Sequence, residues 1–417
     1  MPEIGAAPAA GAAPAATTSE GLRSVANAAA FRTVARLAAS GMQAATLVLI
    51  ARETNVGQFG QLMITFSVVM ACGIFFGFGA QGRALRAAGE PNTESLLRSM
   101  WIGQAAVVAT ILVVASGVVG FRHLGLATWT GVLFGVSDLL NNYAQPHLSS
   151  MRRHRAATVI VVAQRAIPLV AVLYCAVTST NVYPPLIFAF IVTALIGLLS
   201  VLPIGGHFVN PLRGSLHYWT YTLTWMFQHV ESPAVGATAG RDAAGIYAIA
   251  ARVAGPITLF SAAISQVVIP ELARRCGSPE FDHLFRKFWR ATLVLSFLVA
   301  AASWPIAELI VFIAGQQYQS ARVLIFAMVA AAAITLSSQA LNAKLIAQGF
   351  AKQVTRCISA GGFLSIALLV LLGLTKNTNL LAVAPLTAQT VVFLMLRSVN
   401  RRVGDGSSMP LAEKVTT

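Results

Sequence analysis

Long apolar runs, separated by short stretches rich in Arg, Lys, Gly and Pro, recur along nearly the whole chain. Each is close to the roughly 20 residues that a helix needs to cross a hydrocarbon layer. The runs fall at 31–50, 59–80, 100–119, 126–145, 156–177 and 184–202, and then, after a break, at 215–236, 245–269, 291–312, 323–343, 358–374 and 380–396. The pattern predicts an all-α integral membrane protein with about twelve transmembrane helices.

Basic residues test that count, because Lys and Arg gather in alternate loops when the spans are right. With the N-terminus inside, 22 of the 29 Lys and Arg residues fall on the cytoplasmic side. Among them are Arg152, Arg153 and Arg155, and the group Arg274, Arg275, Arg286, Lys287 and Arg290. Five (Arg52, Arg122, Arg241, Arg322 and Lys376) fall outside, and Arg165 and Arg252 fall within spans. A missed helix inverts the bias downstream of it, and no inversion occurs. Both termini are therefore expected in the cytoplasm, with the protein in the cell membrane.

An even number of helices in each half gives the halves one orientation, as in transporters built from parallel repeats. The expected organisation is a disordered cytoplasmic tail over 1–22, an N-terminal lobe over 23–203 and a cytoplasmic linker over 204–214. A C-terminal lobe over 215–397 and a second cytoplasmic tail over 398–417 complete it. The first tail is Ala-, Pro- and Gly-rich and lacks the basic start of a signal peptide. Gly60 and Gly245 sit in comparable places after the first and seventh runs.

Composition agrees: 56% of residues are hydrophobic and 10% charged, against about 25% charged in soluble domains. The formal charge of +15 follows the loops and so marks orientation rather than nucleic acid. Cys72, Cys175, Cys276 and Cys357 are scattered, with neither metal-site nor disulfide spacing. Gly77-Phe78-Gly79-Ala80-Gln81-Gly82 spells a dinucleotide fingerprint, but it ends a membrane helix instead of joining a strand to a helix. Close helix packing at Gly73 and Gly77 explains it better.

Charges at bilayer depth are the candidates for chemistry. Arg32 and Arg36 lie on one face of the first helix, with Ser40 continuing that face, and either approach a cavity or reach to headgroups. Arg165 lies deep in the fifth span, and Asp138 on the preceding antiparallel helix is within pairing range; Asn141, Asn142 and Gln145 add polarity to one side of a wet cavity. Near the opposite face, Glu231 and Arg252 repeat the arrangement, and His229 with Glu231 offers a protonation site or a structural pair. Pro168, Pro233, Pro256 and Pro305 mark kinks. Outer loops are short and paired carboxylates near an interface are missing, so an enzyme is not expected.

The chain also resembles a known family. Leu49-Ile50-Ala51-Arg52 followed by Gly57-Gln58-Phe59-Gly60 is similar to the start of O-antigen-type polysaccharide-biosynthesis flippases, within the multidrug/oligosaccharidyl-lipid/polysaccharide exporter superfamily. So are Ala244-Gly245-Ile246-Tyr247 through Arg252, Pro270-Glu271-Leu272-Ala273-Arg274, and Pro305 through Gly315 to Tyr318. The resemblance implies two six-helix lobes around a central cavity and movement of a polyprenyl-diphosphate-linked oligosaccharide to the outer leaflet by alternating access. It implies Arg32, Arg36, Arg165 and Arg252 as substrate-binding cations and Asp138, Glu231 and His229 as coupling or pairing groups. Where the family often follows the acid with Arg, this chain has Ser232. No cofactor is implied beyond coupling to H+ or Na+. Partners would be the lipid-linked glycan, the bilayer, and a glycan polymerase or glycosyltransferase, with no nucleic acid. The alternatives are a drug or metabolite antiporter of the same superfamily, or a membrane-embedded glycan polymerase or ligase.

Overall fold

The structure, a computed structural model, describes residues 19–86, 93–151, 153–201, 207–212, 216–276 and 278–405. The expected tail residues 1–18 and 406–417 lie outside these. Among the described residues there are thirteen α-helices and no strand. In lipid a backbone must satisfy its own hydrogen bonds, and helices do this within one segment.

The first half holds α1 (Ser19–Glu53), α2 (Val56–Phe76), α3 (Ala80–Arg86), α4 (Thr93–Phe121), α5 (Leu126–Ser150), α6 (His154–Thr178) and α7 (Tyr183–Leu199). The second holds α8 (Leu216–Ala239), α9 (Arg241–Arg274), α10 (Pro279–Ala314), α11 (Arg322–Ala347), α12 (Ala351–Gly373) and α13 (Val383–Asp405). Each predicted run coincides with a long helix, and only the short α3 falls between runs. The fold is a two-lobed all-α membrane bundle of about twelve long helices.

Local chemistry sets several ends. Asn55 accepts a hydrogen bond from the Gln58 backbone N–H at 2.8 Å and so caps α2. The predicted run 59–80 stops early, at Phe76, because Phe78 (φ 45°) and Gly79 (φ 73°) turn left-handed before α3. That turn is where the fingerprint-like glycines lie, and Gly79 sits against the backbone of Tyr218 and Trp219 on α8. Gly240 (φ 96°) makes the one-residue turn from α8 to α9, a conformation that carries no steric cost for glycine.

Among the described residues, eight helices are long and apolar enough to cross a membrane by length and composition alone. α5 and α8 are not among them. They carry the polar residues Asp138, Asn141 and Asn142, and Gln228, His229 and Glu231, and α5 lies inside the bundle, where lipid does not select for apolarity. Accordingly α5 is buried along most of its length, whereas α4 exposes Val113, Val114, Val118 and Phe121.

The lobes meet where α2 packs on α8 and α9, and α1 on α9 and α10. Call the side bearing Ser19 and Asp405 the terminal face, and the other the distal face. At the distal face Gln317 donates through Nε2 to the carbonyls of Ala51 and Thr54, both at 3.0 Å. The Phe59 ring meets Tyr318 edge-on there, 6.3 Å between centroids. Gly60 approaches the Arg241 carbonyl and the Gly245 backbone, and Gly245 approaches the Val56 carbonyl. Of the stretch expected to link the halves, residues 207–212 are fastened to the first lobe. Arg83 donates to the Pro211 carbonyl at 2.8 Å, the Val209 N–H donates to Ser99 Oγ at 2.8 Å, and Ser95 Oγ lies 3.3 Å from His207 Nδ1.

Candidate functional site

Four charged side chains lie two turns or more inside their helices. Asp138 is at the centre of α5, and Arg165 is eleven residues into α6, about 16 Å from its end. Arg252 lies eleven residues into α9, again about 16 Å, and Glu231 is eight residues, about 12 Å, from the end of α8. The sequence reading set the second pair nearer the distal face. It started the eighth span at 245, whereas α9 begins a turn earlier, at Arg241, and the extra turn moves Arg252 inward.

Arg165 and Asp138 form a bidentate ion pair, Nη1 to Oδ1 at 2.7 Å and Nη2 to Oδ2 at 3.2 Å. The side chains are 14% and 5% exposed, so the pair is shielded from screening water. Gln164 Nε2 donates to the same Oδ1 at 2.7 Å, and its Oε1 accepts from Gln145 at 3.2 Å. This polar ladder runs along α5 toward the terminal face. Near its end Arg36 lines a small hollow with Gln145 and Thr158.

The Arg36 side chain is exposed while Ser40 is buried, so the expected polar stripe does not continue into one cavity. Arg32 lies in α1, and its side chain is outside the described residues. Asn141 also departs from the wet-cavity expectation. It is fully buried and donates to the carbonyls of Ser137 and Thr193, at 2.8 and 2.9 Å, which ties α5 to α7.

In the second lobe Glu231 accepts from Tyr247 Oη at 2.8 Å and from Ser365 Oγ at 2.9 Å, one hydroxyl on each carboxylate oxygen. It is bonded to neither His229 nor Arg252. Nδ1 of His229 is buried without a hydrogen-bond partner, and the His229 ring meets Phe66, 6.0 Å between centroids. Arg252 crosses the seam, with its guanidinium 4.8 Å from the centre of the Phe66 ring, in electrostatic reach of Asp138, Arg165 and Glu231. Among the described residues, no carboxylate lies within ion-pair distance of it. Phe66 in turn stacks on Phe134 at 4.1 Å and Phe134 on Phe190 at 4.7 Å.

The structure thus sets His229 and Arg252 of the second lobe against Phe66 of the first, keeps Asp138 with Arg165 in the first lobe and Glu231 with Tyr247 and Ser365 in the second, and leaves Arg36 toward the terminal face. The residues that sequence reasoning missed are Phe66, Gln164, Tyr247 and Ser365. Only Tyr247 had a signal, its place after Gly245 in a quoted motif. Chemically, Arg252 has a face covered by an aromatic ring and donors free of any carboxylate, which is how a guanidinium presents itself to an anion.

No protein-family model matches the chain, and no curated protein matches it in sequence. Solved structures do match. Lipid II flippase MurJ in an inward closed conformation superposes with a TM-score of 0.66 at 12% identity, covering 89% of this chain and 87% of the flippase. An inward-facing multidrug resistance MATE family transporter of the MOP superfamily gives 0.62 at 14% identity, covering 90% of this chain and all of the transporter. A MOP superfamily transporter from Pyrococcus furiosus Vc1 (DSM3638), described by the reverse polarity of its binding pocket, gives 0.58 at 13%, covering 91% and 96%. At these identities the likeness is one of fold, and it extends over nearly the whole chain.

Proposed function

We propose that the protein is a flippase that moves a polyprenyl-diphosphate-linked oligosaccharide from the cytoplasmic to the outer leaflet of the cell membrane. The observation that carries this reading is Arg252: a guanidinium at the seam of two lobes, at bilayer depth, with no carboxylate in ion-pair distance among the described residues. Holding a bare cation there is expensive, and a passing diphosphate offsets that cost during transport.

In this reading Arg32 and Arg36 collect the diphosphate from the terminal face, which is cytoplasmic, and Arg165 and Arg252 receive it at mid-depth. The sugar passes between the lobes while the lipid tail stays in the bilayer. In this reading rocking of the lobes about α2, α8 and α9 exposes the cluster to each side in turn. In the same reading Glu231 and His229 couple transport to H+ or Na+. A polymerase or glycosyltransferase would supply and consume such a substrate.

One observation favours a second reading, a drug or metabolite antiporter. Glu231 is a carboxylate held inside the second lobe, in a fold shared with a multidrug transporter. The protein reconstituted in liposomes with a fluorescent polyprenyl-diphosphate glycan decides between them. Leaflet-to-leaflet movement that is lost in Arg252→Ala and Arg165→Ala is expected. Uptake of a fluorescent organic cation without lipid movement would replace the flippase by the antiporter.

A further inference from the structure

At the terminal end of the second lobe, α10 and α13 both pack on α11, and a ring from each bridges the space between them. Trp289 of α10 lies nearly parallel to Phe393 of α13, with 6.4 Å between centroids. Phe285, one turn before Trp289, carries the Lys344 ammonium of α11 at 4.8 Å from its centre. These rings and Lys344 floor a furrow between α10 and α13.

The walls of the furrow are basic. Arg286 and Arg290 on α10, and Arg397 and Arg401 on α13, are exposed. At about 100° per residue, each pair flanks its ring on the side turned away from α11, so both pairs border the same furrow.

Their depth follows from the apolar runs. The run 291–312 starts directly after Arg290, and the run 380–396 ends directly before Arg397. Arg286 and Arg401 stand one turn further out, about 6 Å, and the headgroup layer is about 5–8 Å deep on each side of a bilayer. All four arginines therefore lie at the level of lipid phosphates.

Charge selects what sits there. Elsewhere on this face Arg275 is held by Glu271 and Glu280. Among the described residues, neither Lys344 nor any of the four arginines has a carboxylate in ion-pair distance. Arg286 Nε donates to the Asp282 backbone carbonyl at 3.2 Å, and the Asp282 carboxylate is within electrostatic reach of Lys344. A headgroup that carries an amine beside its phosphate is repelled by this excess of cations, whereas a phosphate without an amine is held by guanidinium groups from both walls. Val294 and Phe297 on α10 and Leu394 on α13, all exposed, continue the walls into the hydrocarbon and flank the acyl chains.

We propose that the furrow binds an anionic phospholipid of the phosphatidylglycerol type in the leaflet at the terminal face, its phosphate between the arginines of α10 and those of α13, above Lys344. The site is separate from the charge cluster at Arg252 and does not depend on the flippase reading. A lipid held there ties together two helices that otherwise meet at this end through their rings.

The test uses full-length protein, delipidated in detergent, with phosphatidylglycerol, phosphatidylethanolamine and phosphatidylcholine of matched chains added in turn and the bound lipid counted by native mass spectrometry. Retention of phosphatidylglycerol over the other two is expected. Each basic residue beside an anionic headgroup contributes a factor of about five, so Arg286→Gln with Arg397→Gln should weaken binding about thirtyfold. Arg155→Gln with Arg274→Gln, exposed at the same face but outside the furrow, removes the same charge and should leave binding unchanged. A photoactivatable phosphatidylglycerol in nanodiscs should cross-link to α10 and α13. Equal retention of phosphatidylethanolamine, equal loss in the two double variants, or cross-links spread evenly over the lipid-facing helices would overturn the proposal.

Discussion

Gly60 of α2 and Gly245 of α9 meet backbone to backbone at the distal face, so close that a β-carbon on either would overlap the other helix. The atoms in the way are the carbonyls of Arg241 and Val56, which cannot rotate aside as a side chain does. The two halves close on that face because neither glycine has a side chain.

Replacing Gly60 with Ala should therefore push the lobes apart at the distal face, through overpacking worth about 1–3 kcal/mol. Spin labels at Arg52 and Lys376, exposed on the two lobes, read the separation. A longer inter-label distance with slower lipid movement is expected, and an unchanged distance would remove the seam from the closing mechanism.

Breaking the Asp138–Arg165 pair leaves a shielded charge alone. Asp138→Ala should cost about 3–5 kcal/mol, and replacing both residues by Leu should recover much of it. Thermal unfolding in detergent measures the stability. If the double variant regains stability yet moves no lipid, the pair acts in transport as well as in folding.

Glu231 receives a hydroxyl on each oxygen. Glu231→Gln retains groups able to bond Tyr247 and Ser365, so the fold should be kept while any response of transport to an imposed pH gradient is lost. Glu231→Ala instead strands both hydroxyls, at about 1–3 kcal/mol for each one left unsatisfied. Proteoliposome flux with and without the gradient checks the first, and thermal unfolding the second. A normal gradient response in Glu231→Gln removes the residue from coupling.

Arg252 and Phe66 form a cation–π contact across the seam. Phe66→Leu should weaken it by about 0.5–2 kcal/mol, and Arg252→Lys should keep the charge but lose the planar fork that matches a diphosphate. Lipid flux should fall in the order unaltered protein, Arg252→Lys, Arg252→Ala. Equal flux in the last two would show that charge alone is irrelevant at this position.

The helices were legible in the chain because lipid imposes one requirement on every span, a run of apolar residues of fixed minimum length. Asp138 and Arg165 were legible as a pair for a related reason: charges at matching depth on consecutive antiparallel helices have few other solutions. That Arg252 lies against Phe66 across the seam was not legible. It depends on which sides of α2 and α9 face each other, and that is set by Gly60 and Gly245, whose pairing needs the lobes already assembled. Ser365 gave no signal either, since a serine within an apolar span commonly bonds its own helix backbone. Sequence alone does not reveal that this one turns to Glu231.

Phe66 touches Phe134 in its own lobe and His229 and Arg252 in the other. A flat ring gripped from both sides has no comfortable halfway position: it is either stacked or it is not. Rocking of the lobes should then be a jump between two arrangements rather than a glide. A fluorine probe on that ring would give two separate resonances whose areas trade places, not one line that drifts.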